Sequence, residues 1–210
     1  MPRHPAPAPD DRARRLPRAV LWDMDGTLVD TEPQWAAAKR KVAQRYDQTW
    51  TVEDDHATLG GTVPDAARKF VERGATDSVE DITQQLAEHV IDSMDDRVPF
   101  LPGIRSLLHE LSEAGIPAAI VTNATSEVAR YTASLAPDNL FRVIIGDQEV
   151  AQGVKPKPDP DAYLQAAQRL GVAPHACVVV EDSPSGAASG VAAGITTVVV
   201  PGVQQVPPGP

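Results

Sequence analysis

The clearest pattern in the chain is a set of five short apolar runs separated by longer stretches of mixed character. Such runs, bounded by turn-forming residues, are typical of strands that are buried on both faces of a parallel sheet. The five predicted strands span residues 19–22, 118–122, 143–145, 177–180 and 196–200.

Apolar residues recur with helical spacing next to the last four of these runs. The helical patterns cover residues 104–111, 128–135, 163–170 and 186–193. For the third of them, Asp159 is a suitable N-cap and Gly171 a suitable stop. The alternation of strands and helices predicts a mostly parallel α/β sheet with helices on both faces. In such sheets, ligands bind at the carboxyl ends of the strands.

The segment 34–98 breaks this alternation with three helical patterns and no strand. We therefore expect a helical domain, inserted after the first strand into a discontinuous core formed by 18–33 and 99–201. Residues 1–17, rich in Pro and Arg, are expected to form a disordered leader. Residues 202–210 form a Pro-rich tail, whose end is compatible with a truncated chain.

Composition narrows the classes of function. Among 210 residues, 42% are hydrophobic and 23% charged, which is ordinary for a globular protein. The formal net charge of −10 argues against binding to nucleic acid or an anionic membrane surface. The single cysteine, Cys177, excludes an internal disulfide and favours a reducing compartment. No apolar stretch approaches the roughly 20 residues of a membrane span.

Two aspartates follow the first predicted strand directly. Side chains at alternate positions of an extended chain point the same way, so Asp23 and Asp25 can face one site. Gly26 permits a sharp turn immediately after them. Two aspartates spaced in this way, taken alone, more often form a solvated turn than a cation site or a catalytic pair. The residues at the other strand ends therefore decide between these interpretations.

The later strand ends carry complementary groups. Thr122 and Asn123 follow the second strand, where their hydroxyl and amide groups could hold phosphate oxygens, although turn chemistry is the ordinary explanation. Two of the chain's five lysines, Lys155 and Lys157, lie in a Pro-rich loop after the third strand. An acidic pair formed by Glu181 and Asp182 follows the fourth strand; such a pair at a helix start is often only a cap.

Charge counting favours a metal at this edge of the sheet. Asp23, Glu181 and Asp182 would converge as anions, and a bound phosphate would add about two more negative charges. Crowded carboxylates need a cation to remain ionised. Mg²⁺ suits such a site because it accepts a few carboxylates and keeps positions for water and phosphate oxygen.

These residues, taken in order, resemble the four motifs of the haloacid dehalogenase superfamily of phosphotransferases. The motifs are Asp23-x-Asp25-Gly26-Thr27, Thr122-Asn123, Lys155-Pro156-x-Pro158-Asp159 and Glu181-Asp182-Ser183. The helical insert resembles the C1-type cap of the subfamily that contains phosphoglycolate phosphatase and β-phosphoglucomutase. The resemblance implies a Rossmann-like, three-layer parallel core with an inserted α-helical cap.

The resemblance also implies roles for the site residues. Asp23 would be the nucleophile that becomes an aspartyl phosphate, and Asp25 the general acid and base. Thr122, the Asn123 backbone amide and Lys155 would hold the phosphoryl group. The family spacing selects Lys155 rather than Lys157 to steady Asp23.

The implied metal is Mg²⁺. Its expected ligands are the Asp23 carboxylate, the Asp25 backbone carbonyl and Asp182, with Glu181 as a further candidate. The cap would close over the substrate and exclude bulk water.

The expected function is therefore a Mg²⁺-dependent phosphatase acting on a small phosphorylated metabolite such as a sugar or polyol phosphate. Dehalogenases of this superfamily lack the second aspartate, so Asp25 favours phosphate chemistry. We expect a cytoplasmic monomer or weak dimer with no nucleic-acid or membrane partner.

Three alternatives remain open at this stage. A β-phosphoglucomutase-like mutase is disfavoured because Pro64 stands where that enzyme carries a cap-loop arginine. A receiver domain, a non-enzymatic phospho-acceptor, has its acceptor aspartate at a later strand and no helical insert after the first. A protein that only binds a phosphorylated metabolite would not need both Asp23 and Asp25.

Overall fold

The computed structural model describes residues 16–94, 100–202 and 206, and its centre is a parallel sheet of five strands. The strands are β1 (Ala19–Trp22), β2 (Ala118–Val121), β3 (Phe141–Ile145), β4 (Cys177–Glu181) and β5 (Thr196–Val199). Their order across the sheet is β3-β2-β1-β4-β5. The predicted α/β fold with a parallel sheet is confirmed.

The central strand β1 is hydrogen-bonded on both sides. Val20 is in register with Ala118 of β2 and with Val178 of β4. From β1 the chain first builds the sheet outward through β2 and β3, and then returns to the other side of β1 to add β4 and β5. The direction of winding therefore changes between β1 and β4, where open α/β sheets place their ligand sites.

Among the described residues, five helices lie between β1 and β2 along the chain, and the first four of them fall between residues 32 and 94. These four are α1 (Glu32–Arg45), α2 (Val52–Thr58), α3 (Val63–Glu72) and α4 (Val79–Met94). The sequence analysis predicts three helices here and misses α2, because its seven residues are mostly polar and carry no apolar stripe. Its local signal is a capping box, in which Thr51 and Asp54 exchange side chain–backbone hydrogen bonds.

The remaining helices cover the sheet. They are α5 (Ile104–Glu113), α6 (Ser126–Ser134), α7 (Asp147–Ala151), α8 (Asp161–Leu170) and α9 (Pro184–Ala192). Pro160, not Asp159, is the N-cap of α8, although Asp159 Oδ1 accepts a hydrogen bond from the Asp161 backbone N–H at 3.1 Å. Gly171 ends α8 in the left-handed conformation with φ 69°, as predicted.

Two buried apolar clusters form the core. Ala19 and Leu21 of β1 belong to one cluster, which also contains residues of α8. Val20 and Trp22 belong to the other, which extends into the inserted helices and includes Trp35 and Phe70. Because alternate residues of a strand point to opposite faces, β1 contributes to both clusters.

The division into a core (18–33 and 99–201) and a cap (34–98) stays a prediction, as do the disordered leader (1–17) and the Pro-rich tail (202–210). Of the leader only 16 and 17 are described, and of the tail only 202 and 206. None of the helices in the described ranges combines the length and apolar character that a membrane crossing requires.

Candidate active site

The candidate site lies at the carboxyl ends of β1, β2 and β4. Asp23 follows β1 directly and is buried, with its backbone N–H donating to the Val180 carbonyl of β4 at 3.0 Å. The chain then turns at Gly26, whose φ is 84°. A Cβ atom at Gly26 would lie 2.3 Å from Asp182 Oδ2, so only glycine lets this turn approach the Asp182 carboxylate.

A buried ion-pair network supports Asp23. Lys157 Nζ lies 2.7 Å from Asp23 Oδ1 and 2.6 Å from Glu181 Oε1, and the Lys157 side chain is only 3% exposed. Glu181 is fully buried and also accepts hydrogen bonds from Tyr163 Oη at 2.6 Å and Ser183 Oγ at 3.0 Å. These donors hold the Glu181 carboxylate in place, and the carboxylate in turn fixes the position of the Lys157 ammonium group.

The structure corrects the choice of lysine. The sequence analysis selects Lys155 to steady Asp23, but the Lys155 side chain is 71% exposed and its Nζ lies 3.5 Å from Asp159 Oδ2. Lys157 makes the contact with Asp23 instead. The two lysines are two residues apart in one loop, so the sequence alone does not show which of their side chains turns inward.

Asp25 is held by the segment that leads into the inserted helices. Its Oδ1 atom accepts hydrogen bonds from Thr31 Oγ1 and, at 2.8 Å, from Trp35 Nε1 of α1. Thr122 Oγ1 lies 3.5 Å from the other oxygen, Oδ2, at the outer limit of a hydrogen bond. Asp25 is therefore held by α1 and the residue before it rather than by Lys157.

Thr122 and Asn123 lie where the sequence analysis expects them, beyond the end of β2. Thr122 is buried, and its Oγ1 accepts a hydrogen bond from the Ala124 backbone N–H at 2.9 Å. Asn123 Nδ2 donates to the Gly60 carbonyl at 3.2 Å and more weakly to the Lys157 carbonyl at 3.4 Å. The Asn123 side chain thus connects the sheet edge to the loop between α2 and α3.

Burial changes the proton affinities of these groups. It raises the pKa of Asp23 above its ordinary value, an effect that the Lys157 charge only partly offsets. Burial also raises the pKa of Asp25, against the hydrogen bonds from Thr31 and Trp35. The pKa of Asp182 rises to about 6, because of burial first and the Glu181 charge second.

For Glu181 and Lys157, the attraction between opposite charges outweighs burial, so both side chains stay charged. Burial alone would raise the pKa of Glu181, but the Lys157 charge and hydrogen bond bring it below its ordinary value. Burial alone would lower the pKa of Lys157, and the charges of Asp23 and Glu181 raise it instead.

The acidic groups are suited to a divalent cation. Asp23, Glu181 and Asp182 each offer a carboxylate oxygen, and these oxygens lie within 4.8 Å of one another. Asp23 Oδ2 is buried with no hydrogen-bond partner, so it is available as a ligand. Asp182 is closely surrounded, since a Cβ atom at Gly202 would lie 2.2 Å from its Oδ2. Oxygen donors of this charge are those that Mg²⁺ prefers.

A cavity of about 120 Å³ opens above Asp23. On the side of the sheet it is lined by five of the predicted site residues and by Lys157, but not by Lys155 or Glu181. The five are Asp23, Asp25, Thr122, Asn123 and Asp182. On the side of the inserted helices it is lined by Glu32, Trp35 and Lys39 of α1 and by residues 58–63. The reacting group of a ligand would therefore be enclosed between the strand ends and α1.

Several contacting residues were not found from the sequence. Trp35 occupies an apolar position of α1, and nothing in the sequence shows that its indole N–H reaches Asp25. Tyr163 lies in the predicted helical pattern 163–170; its ring is buried, while its hydroxyl donates to Glu181. The signal, in both cases, is an aromatic residue with a polar atom at a core position, which requires a partner.

Known proteins are similar to this chain over most of its length. The family model of haloacid dehalogenase-like hydrolases matches residues 20–200. Hexitol phosphatase A of Escherichia coli is 37% identical over 185 residues, which cover 87% of this chain and 82% of that protein. A phosphorylated carbohydrates phosphatase of Thermotoga maritima is 34% identical over 181 residues, covering 84% and 82%.

A solved structure shares the fold across most of both chains. It is a variant of CbbY from Rhodobacter sphaeroides in complex with xylulose-(1,5)bisphosphate. The two chains superpose with a TM-score of 0.79 at 27% sequence identity, over 89% of this chain and 87% of that one.

Proposed function

Since this chain belongs to the haloacid dehalogenase-like hydrolase family, we propose that it is a Mg²⁺-dependent phosphatase of small phosphorylated metabolites. The observation that carries the proposal is the convergence of Asp23, Lys157 and Glu181 beside Asp182 at the switch point of the sheet. Sugar and polyol phosphates are the proposed substrate class, in keeping with the names of the similar phosphatases.

In the first step, Asp23 acts as the nucleophile. A carboxylate oxygen forms a bond to phosphorus as the bond from phosphorus to the alcohol oxygen breaks, which yields an aspartyl phosphate. Asp25 gives its proton to the departing alkoxide, so the alcohol leaves neutral. Burial, which raises the pKa of Asp25, favours the protonated form that this step needs.

In the second step, a water molecule attacks the phosphorus of the aspartyl phosphate. Asp25 now takes the proton of that water, the bond between phosphorus and the Asp23 oxygen breaks, and inorganic phosphate is released. Asp25 returns to its protonated state and Asp23 to its carboxylate.

Lys157 and the end of β2 would hold the phosphoryl group. Lys157, rather than Lys155, offsets the charge of Asp23 and is itself fixed by Glu181. The Thr122 hydroxyl and the Asn123 backbone amide would donate hydrogen bonds to phosphoryl oxygens.

Mg²⁺ would be held by the Asp23 carboxylate, the Asp25 backbone carbonyl and Asp182. Glu181 is better suited to positioning Lys157 than to ligating the ion, because its oxygens already accept hydrogen bonds from Lys157, Tyr163 and Ser183. When bound, the ion offsets the negative charge of the transferring phosphoryl group.

The inserted helices are proposed to act as a cap that excludes bulk water. Hydrolysis is favoured over a mutase reaction because the segment 59–64, which is the loop between α2 and α3 with the first two residues of α3, carries no cationic side chain to hold a second phosphate. We place the enzyme in the cytoplasm as a monomer or weak dimer, a setting that suits its single buried cysteine and net charge of −10.

Phosphate release from a panel of sugar, polyol and glycerol phosphates, with and without Mg²⁺, tests the proposal. We expect turnover that requires Mg²⁺ and disappears in the Asp23→Asn variant. Absence of Mg²⁺-dependent release from every ester, or unchanged turnover in Asp23→Asn, would contradict it.

A further inference from the structure

The cavity above Asp23 is lined by more acidic than basic side chains. Among the described residues that line it, four are carboxylates and two are ammonium groups. The carboxylates are those of Asp23, Asp25, Glu32 and Asp182, and the ammonium groups those of Lys39 and Lys157. With every group ionised the balance is −2, which one divalent cation would cancel before any substrate is bound.

Both ammonium groups already have acidic partners. Lys157 Nζ is shared between Asp23 and Glu181. Lys39 Nζ lies 3.5 Å from Asp55 Oδ1 and donates a hydrogen bond to Thr58 Oγ1 at 3.3 Å. Lys157 is thus matched by two carboxylates, whereas Lys39 shares the Asp55 carboxylate with Arg40. Within the described lining, the carboxylates still outnumber the ammonium groups four to two.

Glu32 is the carboxylate on the cap side of this cavity. It begins α1 and lies three and seven positions before Trp35 and Lys39, which places all three on one helix face. Glu32 is half-buried, and its carboxylate accepts no hydrogen bond from another described residue. Burial and the nearby Asp25 charge raise its pKa, in agreement with its position over the site.

We propose that Glu32 is a specificity-determining residue, which selects monophosphate esters of neutral sugars or polyols against substrates that carry a second phosphate or a carboxylate. The inference rests on the proposed phosphatase function. A carboxylate accepts strong hydrogen bonds from hydroxyl groups, so it stabilises the binding of a substrate with a polyol leaving group. The same charge repels an anion at that position, because the described lining carries a net charge of −2 when its groups are ionised.

Two matched pairs of esters test this selectivity. D-fructose 6-phosphate and D-fructose 1,6-bisphosphate differ by one phosphate on the far hydroxyl, and glycerol 3-phosphate and 3-phosphoglycerate differ by a carboxylate. In each pair, one member has the phosphate as its only anionic group. We expect the kcat/KM of the wild-type enzyme with Mg²⁺ to be at least about tenfold higher for that member.

The Glu32→Gln variant isolates the charge. Its ratio of kcat/KM between the two members of a pair should shift by about tenfold toward the substrate that carries the second anionic group. Glu53→Gln is the control, because Glu53 is also a first-turn glutamate of an inserted helix but is exposed and lies outside the cavity lining. This control should keep the wild-type ratio and turnover.

A readout on the wild-type protein needs no substitution. Raising KCl from 0.05 to 0.5 M should narrow the ratio, because salt screens the repulsion at the cavity mouth. Equal kcat/KM for both members of each pair, a ratio unchanged in Glu32→Gln, or an equal change in Glu53→Gln would overturn the inference. If neither these esters nor p-nitrophenyl phosphate is hydrolysed with Mg²⁺, the proposed function itself fails; hydrolysis without selectivity removes only the role of Glu32.

Discussion

At the scale of single residues, the site shows how neighbours make two identical side chains unequal. Asp23 and Asp25 are both carboxylates of the same strand end, yet Asp23 contacts Lys157 and Asp25 contacts Thr31 and Trp35. Burial raises the pKa of both carboxyls; at Asp23 the Lys157 charge opposes this rise, and at Asp25 the hydrogen bonds from Thr31 and Trp35 oppose it. The two aspartates therefore differ in the kind of partner that stabilises the ionised form, a cation for Asp23 and neutral donors for Asp25.

The Asp25→Asn variant should lose turnover by a factor of about 10²–10⁴, because the alkoxide would then leave without a proton. Its Mg²⁺ affinity should stay near that of the wild type, since the proposed ligand from this residue is the backbone carbonyl. Isothermal titration with Mg²⁺ alongside steady-state kinetics checks both expectations. A large loss of Mg²⁺ affinity would count against the assignment.

Lys157→Ala and Lys155→Ala form a matched pair that separates the two loop lysines. Lys155→Ala should retain turnover within about twofold, because an exposed ion pair such as Lys155–Asp159 contributes little. Lys157→Ala should abolish turnover and lower the free energy of unfolding by about 3–5 kcal/mol, since it leaves two buried carboxylates unpaired. Phosphate release and chemical denaturation measure the two effects; the reverse ranking would restore Lys155.

At the scale of elements, α1 connects the inserted helices to the chemistry. Trp35 donates to Asp25, while Glu32 and Lys39 line the cavity from the same helix. The short helix α2 supports α1 in turn, because Asp55 of α2 pairs with Lys39 and Arg40. A change in the packing of these helices would therefore alter the hydrogen bond from Trp35 to Asp25.

The start of α2 provides a test of stability against pH. Arg73 donates to both carboxylate oxygens of buried Asp54, and this bond, helped by the Thr51 cap, holds the pKa of Asp54 well below its ordinary value. The unfolded chain then takes up a proton first as the pH falls. The contribution of Asp54 is thus complete above the unfolded pKa of about 4 and is lost progressively below it.

Asp54→Asn should accordingly lower the free energy of unfolding by about 1–2 kcal/mol at pH 7, and by less at pH 3. Urea denaturation at several pH values measures the difference. Asp138→Asn, at an exposed position, is the control and should have little effect at any pH. A deficit in Asp54→Asn that does not shrink in acid would show that the charge is not its cause.

At the scale of the whole molecule, the sheet assembles a site from groups that are far apart in the chain. Asp23 and Lys157 are 134 residues apart, and their pairing depends on β1 lying between β2 and β4. Asn123 also bonds to Gly60 in the inserted segment, so the sheet edge and the inserted helices meet at the cavity. The assembled site concentrates negative charge that the fold alone leaves only partly compensated.

Mg²⁺ should therefore raise the melting temperature of the protein. At about 100 times its dissociation constant, a ligand adds about 2.7 kcal/mol, or roughly 5–10 °C for a chain of this size. Asp182→Asn should melt at or above the wild-type temperature without Mg²⁺, because it removes a buried charge, and should lose most of the response to the ion. Differential scanning calorimetry checks both; a full Mg²⁺ response in this variant would remove Asp182 from the ligands.

The sequence by itself determined the order and type of most elements. Four- and five-residue apolar strands and amphipathic helices are local patterns, so β1 was predicted at its observed bounds and Gly171 as the stop of α8. The sequence also predicts carboxylates at the carboxyl ends of β1 and β4, because parallel strands bring these ends to one edge of the sheet. The polar helix α2 has no apolar stripe, so its only local signal in the sequence is the capping box at its start.

Only the tertiary structure decided which side chains meet. Whether Lys155 or Lys157 turns inward depends on packing against Asp23, Glu181 and Tyr163, which lie on three other segments. The hydrogen bonds from Thr31 and Trp35 to Asp25 depend in the same way on where α1 begins after the turn. Local patterns report burial and periodicity, whereas the partner of a buried polar group is a property of segments that are distant in the chain.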